Sequence, residues 1–463
     1  MPGDLHYLSL DEVARRLKAR KLSSVEATQA MLARIGKVDP ELKSYATLTP
    51  ERALADAARL DAETAAGTSL GPLHGVPIAV KDLCNTAGVP TAAGMAIHRQ
   101  NVPHKDATVV ARLKQAGAVI LGKLQMTEGA YGLHHPSIDP PVNPFNAAYW
   151  TGVSSSGSGV ATAAGLCFAS LGSDTGGSIR FPSTMNGLSG LKPTWGRESR
   201  AGVFPLAESL DHVGPMCRSA LDAAIVLGVI AGPDADDATA APQAVPDYAA
   251  SIGAGVKGRR LGVPRNLIGM DADSQRAFDG AVATFRSAGA MVVDVTLPEL
   301  DEATMKWIPL CGLEAALAHE ATFPSRRSEY GPDLAALIDL GRGLSGLDLG
   351  KLHLVRARVR GEIEGLLAGL DALLMPVMGV ATPTLAGLKA AGRTPQTTAA
   401  RLRYTAPFDM SGHPTLTLPG GLTADGVPVG FQIVGRAFDE AGILAAGHAF
   451  QQATDWHMRR PPV

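Results

Sequence analysis

Short runs of apolar residues alternate with helix-patterned segments along this chain, and this alternation limits the possible folds more than any other feature. Residues 76–80 and 118–121 are apolar runs of strand length, and a helical pattern lies between them at 107–115. The alternation returns later in the chain, at 261–263, 274–288 and 291–293. Strands without a polar face are buried on both sides. We therefore predict an α/β layer structure with a largely internal sheet.

The charge and cysteine content excludes several classes of protein. The 463 residues carry 42 Lys+Arg and 44 Asp+Glu, a formal net charge of −2, so neither nucleic acid nor an anionic membrane surface is an expected partner. No apolar stretch is long enough to span a membrane, and residues 1–6 lack the features of a signal peptide. We expect a cytoplasmic protein with reduced, buried thiols at Cys84, Cys167, Cys217 and Cys311.

Two clusters rich in serine and glycine, residues 152–159 and 172–178, stand out in the first half of the chain. Such residues bury little apolar area, so a dense run of them needs a reason. Adjacent Gly176 and Gly177 let backbone N–H groups converge on an anion. The Ser178 hydroxyl beside them would complete the arrangement that acyl transfer needs, a nucleophile with donors for the developing oxyanion. The alternative reading is a tight strand-to-helix turn with no chemistry.

A serine nucleophile needs a base to accept its proton. The histidines are scattered and none stands in an obvious Ser-His-Asp order: His74, His98, His104, His134, His135 and His212. Lys81 directly follows the apolar run 76–80, where partial desolvation would lower its pKa. By itself such a lysine would more often be a solvated charge at the end of a strand.

Three other patterns carry no function in our interpretation. Residues 67–71 match G-x-S-x-G but follow a helical pattern, whereas a nucleophile elbow follows a strand. Residues 117–123 nearly match a P-loop, but their middle is a strand pattern. His134 and His135 have no matching carboxylate frame for a metal. We expect no metal and no organic cofactor.

Taken together, several segments resemble the amidase signature family. They are the lysine segment, the serine cluster, the nucleophile segment and its continuation, at 80–82, 152–158, 171–182 and 187–194. Ser154 and Ser178 are 24 residues apart, the spacing of the family. Residues 407–408 and 426–432 also fit. The ordered combination is highly specific, although each short fragment is weak evidence.

The resemblance implies a Ser–cis-Ser–Lys triad. Ser178 would be the nucleophile that forms a covalent acyl-enzyme. Ser154, in a cis peptide linkage, would relay the proton between Ser178 and Lys81. Lys81 would act as a neutral base and return the proton to the departing amine.

The resemblance also implies supporting residues. Ser155 would hydrogen-bond the lysine, and Asp174 and Arg180 would brace the nucleophile loop. The oxyanion hole would consist of the backbone N–H groups of Thr175, Gly176 and Gly177. Val153 and Ser156 depart from the family pattern beside the serine pair, and Glu198 stands at a position that is more often small and apolar. We interpret Glu198 as a solvated surface charge.

The family fold implied is one amidase signature domain over 1–463, with a mixed sheet covered by helices on both faces. It would comprise an N-terminal helical segment (1–70), a catalytic core (71–231) and the rest of the sheet with substrate-facing loops (232–463). Glycine-rich residues 341–350 are expected to form a mobile loop. The substrate pocket is predicted near 126–133, 202–212 and 307–345. Its apolar walls would be Met126, Tyr131, Phe204 and Leu206, although ordinary core packing explains these side chains equally well.

The predicted function is hydrolysis of small amides such as anilides and carboxamides, with esters and carbamates as plausible substrates of the same acyl-enzyme chemistry. The alternative is the amidase component of a tRNA-dependent amidotransferase, which would release ammonia from glutamine for a partner protein. A third reading is a binding protein with a dead site, and the intact Lys81, Ser154 and Ser178 argue against it. A homodimer is possible.

Overall fold

A continuous sheet runs through the part of the chain that the computed structural model describes, residues 5–380 and 382–463. Eleven strands form it within those residues: β1 (Tyr45–Leu48), β2 (Pro77–Lys81), β3 (Val119–Leu124), β4 (Ala169–Asp174), β5 (Ser189–Lys192), β6 (His212–Cys217), β7 (Arg260–Pro264), β8 (Met291–Val295), β9 (Ala372–Pro376), β10 (Thr415–Leu422) and β11 (Pro428–Gly435). Their spatial order is β1-β3-β2-β4-β6-β5-β10-β11-β9-β7-β8.

The sheet is mixed. Strand β2 runs parallel to both β3 and β4, and β7 runs parallel to β8 and β9. The remaining pairs in the middle of the sheet and at the β1 edge are antiparallel. Because the carboxyl ends of parallel strands meet at one edge, the last residues of β2 and β4 lie side by side.

Fifteen α-helices pack around this sheet in the described ranges: α1 (Leu10–Lys18), α2 (Ser24–Leu42), α3 (Pro50–Ala65), α4 (Thr108–Gln115), α5 (Ser156–Ala163), α6 (Arg180–Met185), α7 (Ala220–Ile230), α8 (Ala272–Ser287), α9 (Asp301–Ala318), α10 (Pro332–Arg342), α11 (Gly346–Leu367), α12 (Leu385–Ala391), α13 (Pro395–Leu402), α14 (Ala406–Ser411) and α15 (Glu440–Ala453). None of these helices combines the length and hydrophobicity that crossing a membrane requires.

Burial on both faces explains the uninterrupted apolar strands. Every residue of β2, β3, β4, β6 and β9 is buried, and successive residues of a strand point to opposite faces. Both faces of the central sheet are therefore covered. The prediction of an α/β fold with a mixed, largely internal sheet is confirmed.

Side-chain caps begin the first two α-helices. The Ser9 hydroxyl accepts a hydrogen bond from the N–H of Glu12 at the start of α1. At the start of α2, Ser23 and Glu26 form a complete capping box. These hydrogen bonds satisfy N–H groups that have no partner within the helix.

The glycine-rich stretch 341–350 is not a loop, and the prediction of a mobile loop there is wrong. Gly341 lies in α10 and Gly350 in α11, which leaves residues 343–345 as the connection. Ser345 and Asp348 form a capping box that begins α11. Gly341 packs so closely on Gly312 of α9 that a Cβ atom would overlap the Gly312 carbonyl oxygen. The glycine therefore serves helix packing and not mobility.

We predict opposite effects for two glycine substitutions in this region. Gly341→Ala should destabilise the protein by about 1–3 kcal/mol or more, because α9 and α10 must move apart. Gly350→Ala should stabilise it by about 0.5–1 kcal/mol, because nothing lies within 4 Å of the added Cβ and alanine favours the helix. The midpoints of thermal denaturation measure both effects. Equal midpoints for the two variants would contradict the close packing of the helices.

Candidate active site

Lys81 is the last residue of β2, and its side chain is completely buried. Its ammonium group donates hydrogen bonds to three hydroxyls, Ser154 Oγ at 2.7 Å, Ser155 Oγ at 2.9 Å and Ser173 Oγ at 2.8 Å. Within the described residues it forms no ion pair. Burial lowers the pKa of Lys81 to about 7, and the opposing effect of nearby groups, Cys84 first and then Asp174 and Asp211, does not cancel it. Lys81 is thus not a solvated strand-end charge.

The Ser154 hydroxyl reaches Lys81 because the chain makes an unusual turn before α5. The Val153–Ser154 peptide bond is cis. The Ser154 carbonyl accepts a hydrogen bond from the N–H of Thr127 at 3.2 Å. Helix α5 then begins at Ser156 and ends at Ala163.

Ser178 lies between β4 and α6, next to this turn. Its carbonyl accepts a hydrogen bond from the N–H of Ser155 at 3.3 Å, so the two serine–glycine clusters meet in space. Unlike its buried neighbours, Ser178 is partly exposed. Its hydroxyl has no hydrogen-bond partner in residues 5–380 and 382–463. The preceding Gly177 has a φ of 132°, which favours glycine.

A buried carboxylate holds the loop that carries Ser178. Asp174 accepts hydrogen bonds from the N–H groups of Gly177 at 2.6 Å and Ile179 at 3.0 Å. The Arg180 guanidinium binds the same carboxylate through Nε at 3.0 Å and Nη2 at 2.8 Å. Burial by itself would raise the pKa of Asp174, but Arg180 outweighs that effect and the pKa is lowered. Asp174 thus hydrogen-bonds the loop directly and Arg180 binds Asp174, and their role in bracing the loop stays a prediction from the resemblance.

Arg180 also ties the loop to the C-terminal half of the chain. Its Nη2 donates to Asp409 of α14 at 2.5 Å, and its Nη1 donates to the Thr405 carbonyl at 2.9 Å. Burial raises the pKa of Asp409 well above the ordinary range despite the positive charge of Arg180. One guanidinium therefore binds two buried carboxyl groups, and the pKa of Asp174 is lowered whereas that of Asp409 is raised.

Two side chains from distant parts of the chain, one in α9 and one in the turn before α14, hold the carbonyls of the nucleophile loop. Trp307 Nε1 of α9 donates to the Thr175 carbonyl at 2.7 Å, and the Thr405 hydroxyl donates to the Gly176 carbonyl at 2.6 Å. In a trans peptide the N–H points opposite to the carbonyl, so Trp307 also orients the Gly176 N–H. A Cβ on Gly176 would lie 2.6 Å from the Trp307 ring, which explains the glycine.

The N–H groups predicted for the oxyanion hole differ in availability. The Gly177 N–H already donates to Asp174. The N–H groups of Thr175 and Gly176 donate to no group within the described part of the chain. These two are therefore free to bind an oxyanion.

A cavity of about 470 Å³ opens at Ser178. Predicted wall residues Tyr131 and Leu206 line it together with Trp150, Phe181 and Trp307. The other two predictions differ from the structure. Phe204 lines a neighbouring cavity of about 170 Å³. Met126 lines neither cavity, because its side chain is completely buried in the hydrophobic core.

Glu198 is not a solvated surface charge, so that prediction is wrong. Its side chain is buried, and Oε1 accepts a hydrogen bond from the N–H of Val213 in β6 at 2.7 Å. Burial raises the pKa of Glu198 to about 8. The side chain is therefore mostly protonated at neutral pH and serves as a buried acceptor beside the sheet.

Sequence reasoning did not identify Ser173 or Thr405 as site residues, and it included Trp307 only as the first residue of the predicted pocket stretch 307–345. Ser173 belongs to the glycine-rich cluster, and its position near the end of β4, parallel to Lys81 in β2, was a usable signal. No local pattern marks Trp307 or Thr405. Among the described residues, no group of three or more His, Cys, Asp or Glu side chains is arranged to hold a metal ion.

Comparison with known proteins places the chain among amidases. The family model described as Amidase matches residues 26–444. The protein named "Putative amidase AmiD" of Mycobacterium tuberculosis is 50% identical over 457 residues, 98% of this chain and 96% of that protein. The A component of the glutamyl-tRNA(Gln) amidotransferase of Geobacter metallireducens is 40% identical, with 99% of each chain covered. The crystal structure of native peptide amidase from Stenotrophomonas maltophilia superposes with a TM-score of 0.84 at 31% identity, covering 99% of this chain and 98% of that one.

We predict a pH-dependent effect of Glu198→Gln on stability. As the pH rises from 4.5 to about 8, Glu198 ionises in the unfolded chain but keeps its proton in the folded one, so the wild type loses stability. Glutamine cannot ionise. The variant should therefore gain stability relative to wild type as the pH rises, measured by thermal denaturation from about pH 5 to about pH 9. Glu208→Gln at an exposed position is the control. A constant difference between Glu198→Gln and wild type over this range would show that Glu198 is ionised when folded.

Proposed function

Because the chain belongs to the amidase signature family and is an amidase that acts on carbon–nitrogen bonds, we propose that it hydrolyses small amides through an acyl-enzyme on Ser178. Ser154 is the proton relay and Lys81 the base. The observation that carries this proposal is the environment of Lys81. It is a buried amine with a pKa near 7, bonded to three hydroxyls and paired with no carboxylate in the described residues.

The proposed reaction begins with neutral Lys81. The amine accepts the Ser154 proton across the 2.7 Å hydrogen bond, and Ser154 in turn accepts the proton of Ser178. Ser178 Oγ attacks the amide carbonyl carbon and forms a tetrahedral intermediate. When the C–N bond breaks, the proton returns from Lys81 through Ser154 to the departing amine. Water then hydrolyses the ester by the same steps and releases the acid.

Backbone N–H groups of the nucleophile loop stabilise the intermediate in this proposal. Those of Thr175 and Gly176 bind the oxyanion, and each is worth on the order of 3 kcal/mol. Trp307 and Thr405 act as positioning residues, since they hold the adjoining carbonyls. The Gly177 N–H already donates a hydrogen bond to Asp174. We therefore propose that Gly177 shapes the loop and does not bind the oxyanion in the resting enzyme.

The cavity supports a small organic amide as substrate. Its volume of about 470 Å³ and its aromatic walls suit an anilide or another aryl amide. Esters and carbamates share the acyl-enzyme step and are proposed as further substrates. A cytoplasmic location and a homodimer stay predictions from the sequence.

The amidotransferase reading is retained as a second candidate because the A component of the Geobacter metallireducens enzyme is 40% identical over nearly the whole chain. The site chemistry would be the same, with glutamine as the amide. The two candidates differ in whether the chain alone turns over a substrate. Hydrolysis of simple amides by the purified chain favours the self-sufficient amidase.

Ser178→Ala should lower turnover of anilides, esters and aryl carbamates by about 10⁴-fold or more, because the nucleophile is lost. Ser183→Ala is the matched control. Ser183 is a buried serine of α6 whose hydroxyl has no partner in the structure as described, so its loss should leave the rate within a few-fold. Amine or phenol release by the purified chain measures turnover, and thermal denaturation checks folding.

Two outcomes would contradict the mechanism or the self-sufficient reading. Wild-type rates in Ser178→Ala would rule out an acyl-enzyme on Ser178. The second candidate would be favoured if the folded wild-type chain shows no turnover alone but gains glutaminase activity when an amidotransferase partner is added.

The pH dependence of kcat/KM should report Lys81. Only the neutral amine can accept the proton, so the rate should rise about tenfold per pH unit below a pKa of about 7 and level off above it. Lys81→Ala should lose activity at neutral pH and recover part of it in alkali. A wild-type profile that still rises steeply above about pH 9 would show that Lys81 has the ordinary pKa of a lysine.

A further inference from the structure

Arg401, near the end of α13, is an unpaired cation in the wall of the catalytic cavity. Its guanidinium carbon lies 5.7 Å from the centroid of the Trp150 ring, which also lines the cavity. The side chain is half-buried. It makes no hydrogen bond and no ion pair with any residue in 5–380 or 382–463. Since arginine stays charged in proteins, this is a partly desolvated positive charge that lacks a counter-ion.

The rest of the cavity wall does not supply the missing negative charge. No Asp or Glu is among the described residues that line it. Two further cations do line it, Lys389 of α12 and Arg393. Arg393 is paired with Asp333, whereas Lys389 is exposed and makes no ion pair within the described residues. The cavity therefore carries an excess of positive charge on the side formed by α12 and α13.

Arg401 is linked to the nucleophile by a row of aromatic rings. Trp150 lies 5.8 Å from Phe181, measured between ring centroids. Phe181 stands three residues after Ser178 and also lines the cavity. The segment that follows Arg401 is fixed to the same loop, because Thr405 hydrogen-bonds the Gly176 carbonyl. Arg401 thus belongs to the same rigid wall as the reacting centre.

The free N–H groups of Arg401 determine which ligand suits it. The guanidinium carbon lies 5.7 Å from the Trp150 ring centroid, within cation–π range, and its N–H groups bind no residue in the described part of the chain. An edge of the guanidinium presents two parallel donors, a geometry that a carboxylate matches. A half-buried cation also attracts an anion more strongly than a solvated one does.

We propose that Arg401 is a specificity-determining residue and that the substrate is an amide bearing a carboxylate group away from the scissile bond. This inference rests on the proposed function of the same cavity and names its substrate class. Arg401 binds the carboxylate, the apolar walls hold the body of the substrate, and Ser178 attacks the amide. Lys389 at the mouth adds long-range attraction for the anion.

Two matched pairs of substrates test the proposal. The acyl-side pair is succinic acid mono-4-nitroanilide and the same compound with a primary carboxamide in place of its free carboxylate. The amine-side pair is N-acetyl-4-aminobenzoate and N-acetyl-4-aminobenzamide. Each pair differs in charge and hardly in shape. We expect wild type to prefer the anionic member of at least one pair by about 10- to 100-fold in kcat/KM, mainly through KM.

Variants at Arg401 should change this preference. Arg401→Met should reduce it to about twofold or less, and Arg401→Lys should keep part of it because the charge remains. Arg403→Met is the matched control. Arg403 lies two residues away and pairs with Asp301, and it does not line the cavity, so the preference should persist.

The outcomes distinguish this inference from the proposed function. Turnover that depends on Ser178 but shows no preference for the anion in either pair overturns the role of Arg401 and leaves the amidase mechanism in place. If none of the four compounds is turned over, calorimetry measures the affinity of Ser178→Ala for both members of each pair and tests the role of Arg401. Tighter binding of an anionic member that disappears in Ser178→Ala/Arg401→Met supports the inference, and equal binding of both members overturns it.

Discussion

The buried interaction of Arg180 with Asp174 and Asp409 holds the active-site region together. Asp174 at the end of β4 binds the N–H groups of the nucleophile loop, and Arg180 binds Asp174 from the first turn of α6. The same guanidinium reaches Asp409 and the carbonyl of Thr405 in the C-terminal half. Removal of Arg180 would leave the buried Asp174 carboxylate without its counter-ion, which costs several kcal/mol. The loop conformation therefore depends on contacts more than 200 residues apart in sequence.

The two buried lysines at the ends of neighbouring strands show how environment decides a side chain's chemistry. Lys123 of β3 lies 3.5 Å from the Asp82 carboxylate and bonds the Thr91 hydroxyl. Lys81 of β2 instead contacts three hydroxyls. Burial lowers the pKa of both, but Asp82 offsets part of that effect at Lys123. A base at neutral pH needs burial without a close carboxylate, and this condition is met at Lys81.

Much of the candidate site could be predicted because it lies in compact motifs. Lys81 ends an apolar strand, and Ser154 and Ser178 stand in glycine-dense runs, which bury little apolar area and so attract attention in a sequence. Side chains that act across the fold could not be predicted this way. Trp307 of α9 and Thr405 in the turn before α14 contact the nucleophile loop from more than 100 residues away in sequence, and Glu198 is buried beside strand β6, whose Val213 it binds.

The sequence by itself determined the class of fold and the family, and it predicted the residues that we propose carry the chemistry, because strand burial and motif spacing are local properties. Tertiary structure alone decided which backbone donors are free, which glycines serve helix packing and where the cavity lies. It also brought Arg401 to the wall of that cavity without a counter-ion. Desolvation and the presence or absence of a counter-ion depend on what packs around a group. Those neighbours come from every part of the chain, so no local pattern could have shown them.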